Sequence, residues 1–179
     1  MKELALNVLD ITENSVKAKA TLTHISIDET EEKLILTITD NGDGMTNEVL
    51  KTVTDPFYTT RTTRKVGLGL PLLKLEAEMT GGSIEVKSRY IGDDTINHGT
   101  SVCAVFYKNH IDCVPLGNII ETVTTLIQGH PDTDFLFTHK IGEKEVKLDT
   151  RELRSVLEGV PLNTYEVVVW IKEYLKEQY

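Results

Sequence analysis

Two stretches of alternating apolar and polar residues, joined by a short acidic turn, set the frame for this chain. Thr23-His24-Ile25-Ser26-Ile27-Asp28 and Lys33-Leu34-Ile35-Leu36-Thr37-Ile38-Thr39 flank Glu29 to Glu32. A period of two with β-branched residues predicts a strand with one covered face, and the acidic turn predicts a hairpin. The second strand then breaks at Asp40-Asn41-Gly42-Asp43-Gly44. Two glycines there permit positive φ and let a backbone approach a flat ligand closely.

The rest of the pattern supplies helices to cover that sheet. Residues 3–19 carry Leu4, Leu6, Val8, Leu9, Ile11, Val16 and Ala18, as expected of a helix packed on one broad face. Residues 46–53 read as a short helix capped by Thr46, and residues 70–80 as a helix with Pro71 in its first turn and Gly81-Gly82 at its end. Residues 83–88 and 101–107 read as paired strands. Beyond residue 110 the expected order is a helix over 116–128, a hairpin of 135–138 with 145–148, a helix capped by Asp149 or Thr150, and a last helix opened by Asn163 with Glu166. In that last helix Val167, Val168, Trp170, Ile171, Tyr174 and Leu175 form one apolar stripe. The expected domains are 1–109 and a small α+β extension, 110–179.

Composition narrows the functional classes. At 179 residues, 40% apolar and 26% charged, the chain can bury one sizeable core. A net charge of -9 argues against a nucleic-acid partner held by phosphate neutralisation. No apolar run approaches the roughly 20 residues of a membrane helix, and the opening Met-Lys-Glu-Leu-Ala-Leu-Asn does not suit a signal peptide. Cys103 and Cys113 form no metal-type pair and read as buried or idle thiols. A reduced, cytoplasmic protein is expected.

Four segments carry candidate chemistry. Asp40 ends a strand, where its carboxylate can accept a hydrogen bond from the exocyclic amine of adenine. By itself, Asp-Asn-Gly-Asp-Gly also suits a plain turn. A calcium loop is excluded, because its twelfth position, a Glu in such loops, is Lys51 here. Asp10, Asn14 and Lys17 share a helix face, so an Asn oxygen for Mg²⁺ and a cation for phosphate can point at one site, or simply at solvent. Lys65-Val66-Gly67-Leu68-Gly69-Leu70-Pro71 runs from loop into helix, where free N–H groups suit phosphate. It is no Walker motif, since no Gly-Lys-Ser/Thr follows. Asp55 to Lys65, with Thr59, Thr60, Arg61, Arg64 and Lys65, suits either a lid over a triphosphate or an ordinary surface loop.

In order and spacing, the four segments resemble the N box, first glycine box, F box and second glycine box of the GHKL ATP-binding superfamily. Asn14-Ser15-Val16-Lys17 is similar to its Asn-Ala-x-Lys core, and Asp-x-Gly-x-Gly is matched in full. Asp55-Pro56-Phe57-Tyr58-Thr59-Thr60-Arg61 resembles the Glu-Pro-Phe-Phe-Thr-Thr-Lys segment of sensor kinases, and Gly99-Thr100 the last glycine element. The resemblance covers residues 1–109 and implies the Bergerat fold, a two-layer α/β sandwich with helices on one face of a mixed sheet.

It further implies ATP and Mg²⁺ as ligands. Asp40 would read the adenine amine, with Gly42, Gly44 and Thr100 close by and Met45 against the base. Asn14 would hold Mg²⁺ and Lys17 meet phosphate. Gly67, Leu68 and Gly69 would supply backbone donors, with Thr59, Thr60, Arg61 and Lys65 on the lid. Two departures bear on activity. Hydrolysing relatives carry Glu where Asp10 stands. No His-Glu-x-x-x-Pro segment surrounds His24, His98, His110, His130 or His139, so autophosphorylation of the usual kind is not expected. The expectation is a small stand-alone bacterial member, a nucleotide-gated switch or kinase toward a protein partner. The alternatives are a slow ATPase with Asp10 as base and an interaction module in which ATP is structural.

Overall fold

The computed structural model describes residues 3–55, 57 and 68–179. The elements run α1 Leu4–Lys17, β1 Leu22–Glu29, β2 Lys33–Asp40, α2 Asn47–Leu50, α3 Gly69–Met79, β3 Ser83–Arg89, β4 Gly99–Tyr107, α4 Ile119–Gly129, β5 Asp134–Ile141, β6 Lys144–Asp149, α5 Thr150–Leu157 and α6 Tyr165–Gln178. All six strands join one mixed sheet in the order β3-β4-β2-β1-β5-β6. Its pairs are antiparallel except β1 with β5, which run parallel.

Alternation decides which face is covered. In β1 and β2, Ile25, Ile27, Leu34, Leu36 and Ile38 are buried while their neighbours are partly exposed. Val102, Ala104 and Phe106 of β4 and Phe135 and Phe137 of β5 continue that layer. Over it lie Leu4, Val8 and Ile11 of α1, Leu73 and Ala77 of α3, Val123, Leu126 and Ile127 of α4, and Ile171 and Leu175 of α6. On the opposite face hydroxyls, a thiol and an imidazole pair across strands: Thr39 with Ser101 at 3.1 Å, Thr37 with Cys103 at 3.6 Å, His24 with Thr138 at 3.0 Å. This is the two-layer sandwich that the resemblance implies.

The segment after residue 110 extends the same sheet and the same core. Parallel pairing of β5 with β1 runs from Leu22↔Asp134 to Glu29↔Ile141. Four details depart from the sequence reading. Helix α2 is a single turn, with the Thr46 hydroxyl accepting from Val49 N–H at 3.4 Å. Helix α4 starts at Ile119 because Asn118 caps it, accepting from Glu121 N–H. Thr164, not Asn163, precedes α6 and makes no side-chain cap; its hydroxyl donates instead to the Pro161 carbonyl at 2.7 Å. Trp170 and Tyr174 leave the buried stripe and stack on each other at 4.8 Å, part-exposed. Asp149 is the cap of α5. Both cysteines are free and half-buried. Among the described residues no helix is long and apolar enough to cross a membrane.

At the far end of β1 the C-terminal helix is clasped through His139, which is 2% exposed. Tyr179 Oη lies 2.7 Å from its Nδ1, and Glu29 Oε2 lies 3.0 Å from its Nε2. A neutral ring satisfies both, accepting from the phenol at Nδ1 and donating to the carboxylate from Nε2. Burial holds His139 below its ordinary 6.5, against the opposing pull of Glu29. For Glu29 burial pushes upward, but its hydrogen bonds to Lys108 and His139 and the Lys108 charge outweigh it and leave the carboxyl below its ordinary value. Burial, with Tyr179 beside Glu29, raises the phenol well above its ordinary value.

A depressed histidine binds fewer protons folded than unfolded. Its contribution is complete above the ordinary 6.5 and is lost as pH falls below it. Burial and the Arg151 charge depress His24 in the same sense. Glu29 adds a further loss at lower pH. We predict that Tm falls as pH is lowered from about 7.5 to about 5 and that His139→Gln flattens part of that slope. A Tm that rises toward acid pH would contradict the arrangement.

Candidate functional site

The site grows from the parity of β2. The alternation that buries Leu34, Leu36 and Ile38 puts Asp40 on the helix-covered face, at the end of the strand. Register sets Thr100 of β4 opposite Asp40 on one side and Thr23 of β1 opposite it on the other. Ser88 of β3 stands opposite Thr100. Four polar side chains therefore end the apolar layer in one row across four strands. Thr23 is fully buried, and its hydroxyl has no hydrogen-bond partner among the described residues.

Asp40 is held from two directions. The Ser15 hydroxyl of α1 donates to Oδ2 at 2.7 Å, and Gly42 N–H donates to Oδ1 at 2.8 Å. Each carboxylate oxygen has a second lone-pair direction left to offer a ligand. Asn41 ties the turn to the start of β1. Its Oδ1 accepts from Thr21 N–H and Leu22 N–H at 2.9 and 3.0 Å, and its Nδ2 donates to Thr21 Oγ1 at 2.8 Å. Asp43 N–H donates to Ala18 O at 2.7 Å, and the His98 ring meets Gly42 O through Nδ1.

Two glycines are required by contact as well as conformation. Gly44 has φ +72, and a Cβ there would lie 2.0 Å from Arg89 O. Gly99 has φ +141, and a Cβ there would lie 2.0 Å from Asp40 O. Next to them Ser88 joins the first glycine turn to the last. Its Oγ accepts from Met45 N–H at 2.7 Å, donates to Gly99 O at 3.1 Å and meets Thr100 Oγ1 at 2.8 Å.

The second half of the site lies where α3 meets α1. Leu68 precedes α3 and gives its first turn no side-chain cap, so among the described residues the N–H groups of Gly69 and Leu70 meet no side-chain acceptor. Gly69 packs against Asp10 and Asn14: a Cβ on it would lie 3.6 Å from Asp10 Cβ and 3.9 Å from Asn14 Nδ2. Asp10 and Lys17 are exposed and Asn14 is half-buried. Among the described residues, no three His, Cys, Asp or Glu side chains cluster as a metal cage. Mg²⁺ fits this donor set only as an ion that takes one amide oxygen from Asn14 and completes its shell with phosphates and water.

Of the residues singled out from sequence, Asp40, Gly42, Gly44, Met45 and Thr100 meet at one end of the sheet. Asp10, Asn14 and Gly69 meet at the α1–α3 contact, with Leu68 exposed beside them. Thr59, Thr60, Arg61, Lys65 and Gly67 lie outside the described residues. Sequence reasoning gave no role to Ser15, Ser88, Asn41 or His98. For Ser15 a signal existed, since it stands where the family core has Ala. A lone serine at a strand end carries none.

With this geometry in hand, the class follows. Residues 2–109 match the family described as histidine kinase-, DNA gyrase B-, and HSP90-like ATPase, and the chain belongs to that family. It is 33% identical over 102 residues to sporulation kinase D of Bacillus subtilis, covering 57% of this chain and 19% of that protein. It is 38% identical over 93 residues to sensor protein SrrB of Staphylococcus aureus, covering 49% of this chain and 16% of that one. The chain therefore spans less than a fifth of these relatives. Among solved structures, the Aquifex aeolicus MutL ATPase domain complexed with ADP shares the fold. Its TM-score is 0.52 at 15% identity, over 88% of this chain and 70% of that one. The N-terminal domain of a DNA repair protein does so at TM-score 0.53 and 17% identity, over 83% and 53%.

Gly44→Ala should cost at least about 2 kcal/mol, because it adds both a left-handed strain and a backbone clash. Urea denaturation reads this directly. A change within about 0.5 kcal/mol would mean that the turn is not held as described.

Proposed function

We propose that this chain binds Mg-ATP and acts as a histidine-kinase-like regulatory protein, a nucleotide-gated switch or a kinase toward a protein partner. The observation that carries the reading is Asp40, held by Ser15 and Gly42 in one polar row with Thr100 and Ser88, while Gly69 abuts Asn14 and Asp10. In this reading Asp40 accepts from the adenine amine, Thr100 and Met45 border the base, and Gly44 lets the backbone come close. Asn14 contributes the metal's amide oxygen and Lys17 meets phosphate. Gly67, Leu68 and Gly69 would donate N–H groups to phosphate, and Thr59, Thr60, Arg61 and Lys65 would supply hydroxyls and cations to it. Mg²⁺, if held there by Asn14, would supply positive charge to neutralise the phosphates. Because phosphoryl transfer needs mainly positioning and charge compensation, an acceptor on another protein suffices.

Isothermal titration should give saturable binding of Mg-ATP. Asp40→Ala should weaken it at least about a hundredfold, and Asn14→Ala should remove its Mg²⁺ dependence. Unchanged binding in Asp40→Ala would sink the assignment. An affinity pull-down from cell extract should recover a partner in amounts that differ with and without ATP; equal recovery would rule out switching.

The exposed Asp10 beside Gly69 favours a second reading, slow hydrolysis with Asp10 orienting a water. Phosphate release should then drop at least about tenfold in Asp10→Asn with nucleotide affinity retained. An unchanged rate would leave Asp10 without that role.

A further inference from the structure

Asn7 and Glu76 face each other across the contact of α1 with α3, and Asn7 Nδ2 donates to Glu76 Oε2 at 2.7 Å. Asn7 is fully buried and Glu76 is 8% exposed. Leu4 and Val8 on α1, with Leu73 and Ala77 on α3, are buried on the same two helices. A polar pair in such a setting carries a cost. Removing a carboxylate from water is costly, and Asn7 Oδ1 has no hydrogen-bond partner at all among the described residues.

A polar pair does something that an apolar pair cannot. Apolar helix faces can slide or rotate past one another with little penalty, whereas a buried hydrogen bond is satisfied in one alignment. The alignment selected here is the one at the proposed phosphate end. Asn7 precedes Asp10 by three residues and Asn14 by seven, and Glu76 follows Gly69 by seven. The helices run antiparallel, so joining Asn7 to Glu76 brings Gly69 to Asp10 and Asn14 two turns away. Sliding α3 by one turn would carry the Gly69 N–H about 5.4 Å from its place beside Asn14.

We propose that Asn7 and Glu76 are positioning residues, which set the register of α3 on α1 and so aim the first-turn N–H groups of α3 at phosphate. This inference rests on the ATP reading above. It assigns the pair an effect on phosphates and none on the base, because Asp40, Thr100 and Ser88 are positioned by the sheet.

The test uses three forms of the full chain: Asn7→Leu with Glu76→Leu, the exchange Asn7→Glu with Glu76→Asn, and Glu76→Gln, whose amide oxygen still accepts. Each is measured for Tm, for Mg-ATP affinity by calorimetry and for adenosine affinity by NMR titration. The leucine pair should stay folded, weaken Mg-ATP at least about tenfold and leave adenosine within about twofold. The exchange and Glu76→Gln should restore Mg-ATP to within about threefold of the natural chain. A leucine pair that binds Mg-ATP as the natural chain does would overturn the proposal. So would one that unfolds, or that loses Mg-ATP and adenosine equally, since either marks a purely structural pair. If the natural chain itself gives no saturable Mg-ATP heat, the ATP reading fails and this inference falls with it.

Discussion

The hydrogen bond from Ser15 to Asp40, 2.7 Å long, joins the two layers of the molecule at the point where its chemistry is proposed to lie. Everything around it follows from placing that carboxylate. The β2 alternation must carry Asp40 to the helix-covered face, and α1 must lie so that Ser15 reaches it. The turn after Asp40 must fold back so that Gly42 N–H meets the other oxygen. A core that buried Leu34, Leu36 and Ile38 on the other face would turn Asp40 to the far side of the sheet. The apolar layer and the polar row are thus one pattern read at two places along the same strands.

The C-terminal segment belongs to that pattern too. Because β5 pairs with β1 along its whole length, the strand opposite β2 is sandwiched rather than left at an edge. An unpaired β1 would present free N–H and C=O groups, which open edges of natural sheets are built to avoid. The clasp of His139 with Glu29 and Tyr179 then holds the last helix down at the end of the sheet away from Asp40.

Much of this was legible in the sequence, for physical reasons that differ between parts. Period-two alternation around Ile25, Ile27, Leu36 and Ile38 reports burial directly, so strands and their faces could be read. Asp40, Asn14 and Gly69 stood out because their residue types match a ligand's needs at the ends of elements. The parallel pairing of β5 with β1 could not be read, since register between distant strands leaves no local periodicity. Trp170 and Tyr174 misled for a related reason: an apolar side chain can satisfy itself against a neighbouring ring as well as in the core. Thr164 rather than Asn163 precedes α6 because its hydroxyl is taken up by the Pro161 carbonyl and no side-chain cap fixes the helix start. Ser15 and Ser88 act through geometry that only the folded chain supplies.

The central claim is that Asp40 reads an exocyclic amine, which adenine offers at the relevant position and guanine does not. Parallel calorimetric titrations of the natural chain with Mg-ATP and Mg-GTP test it most directly. Saturable binding of Mg-ATP is expected, with Mg-GTP weaker by at least about a hundredfold, because a carboxylate facing the guanine carbonyl meets a second acceptor where adenine offers a donor. Equal affinity for the two nucleotides would contradict it.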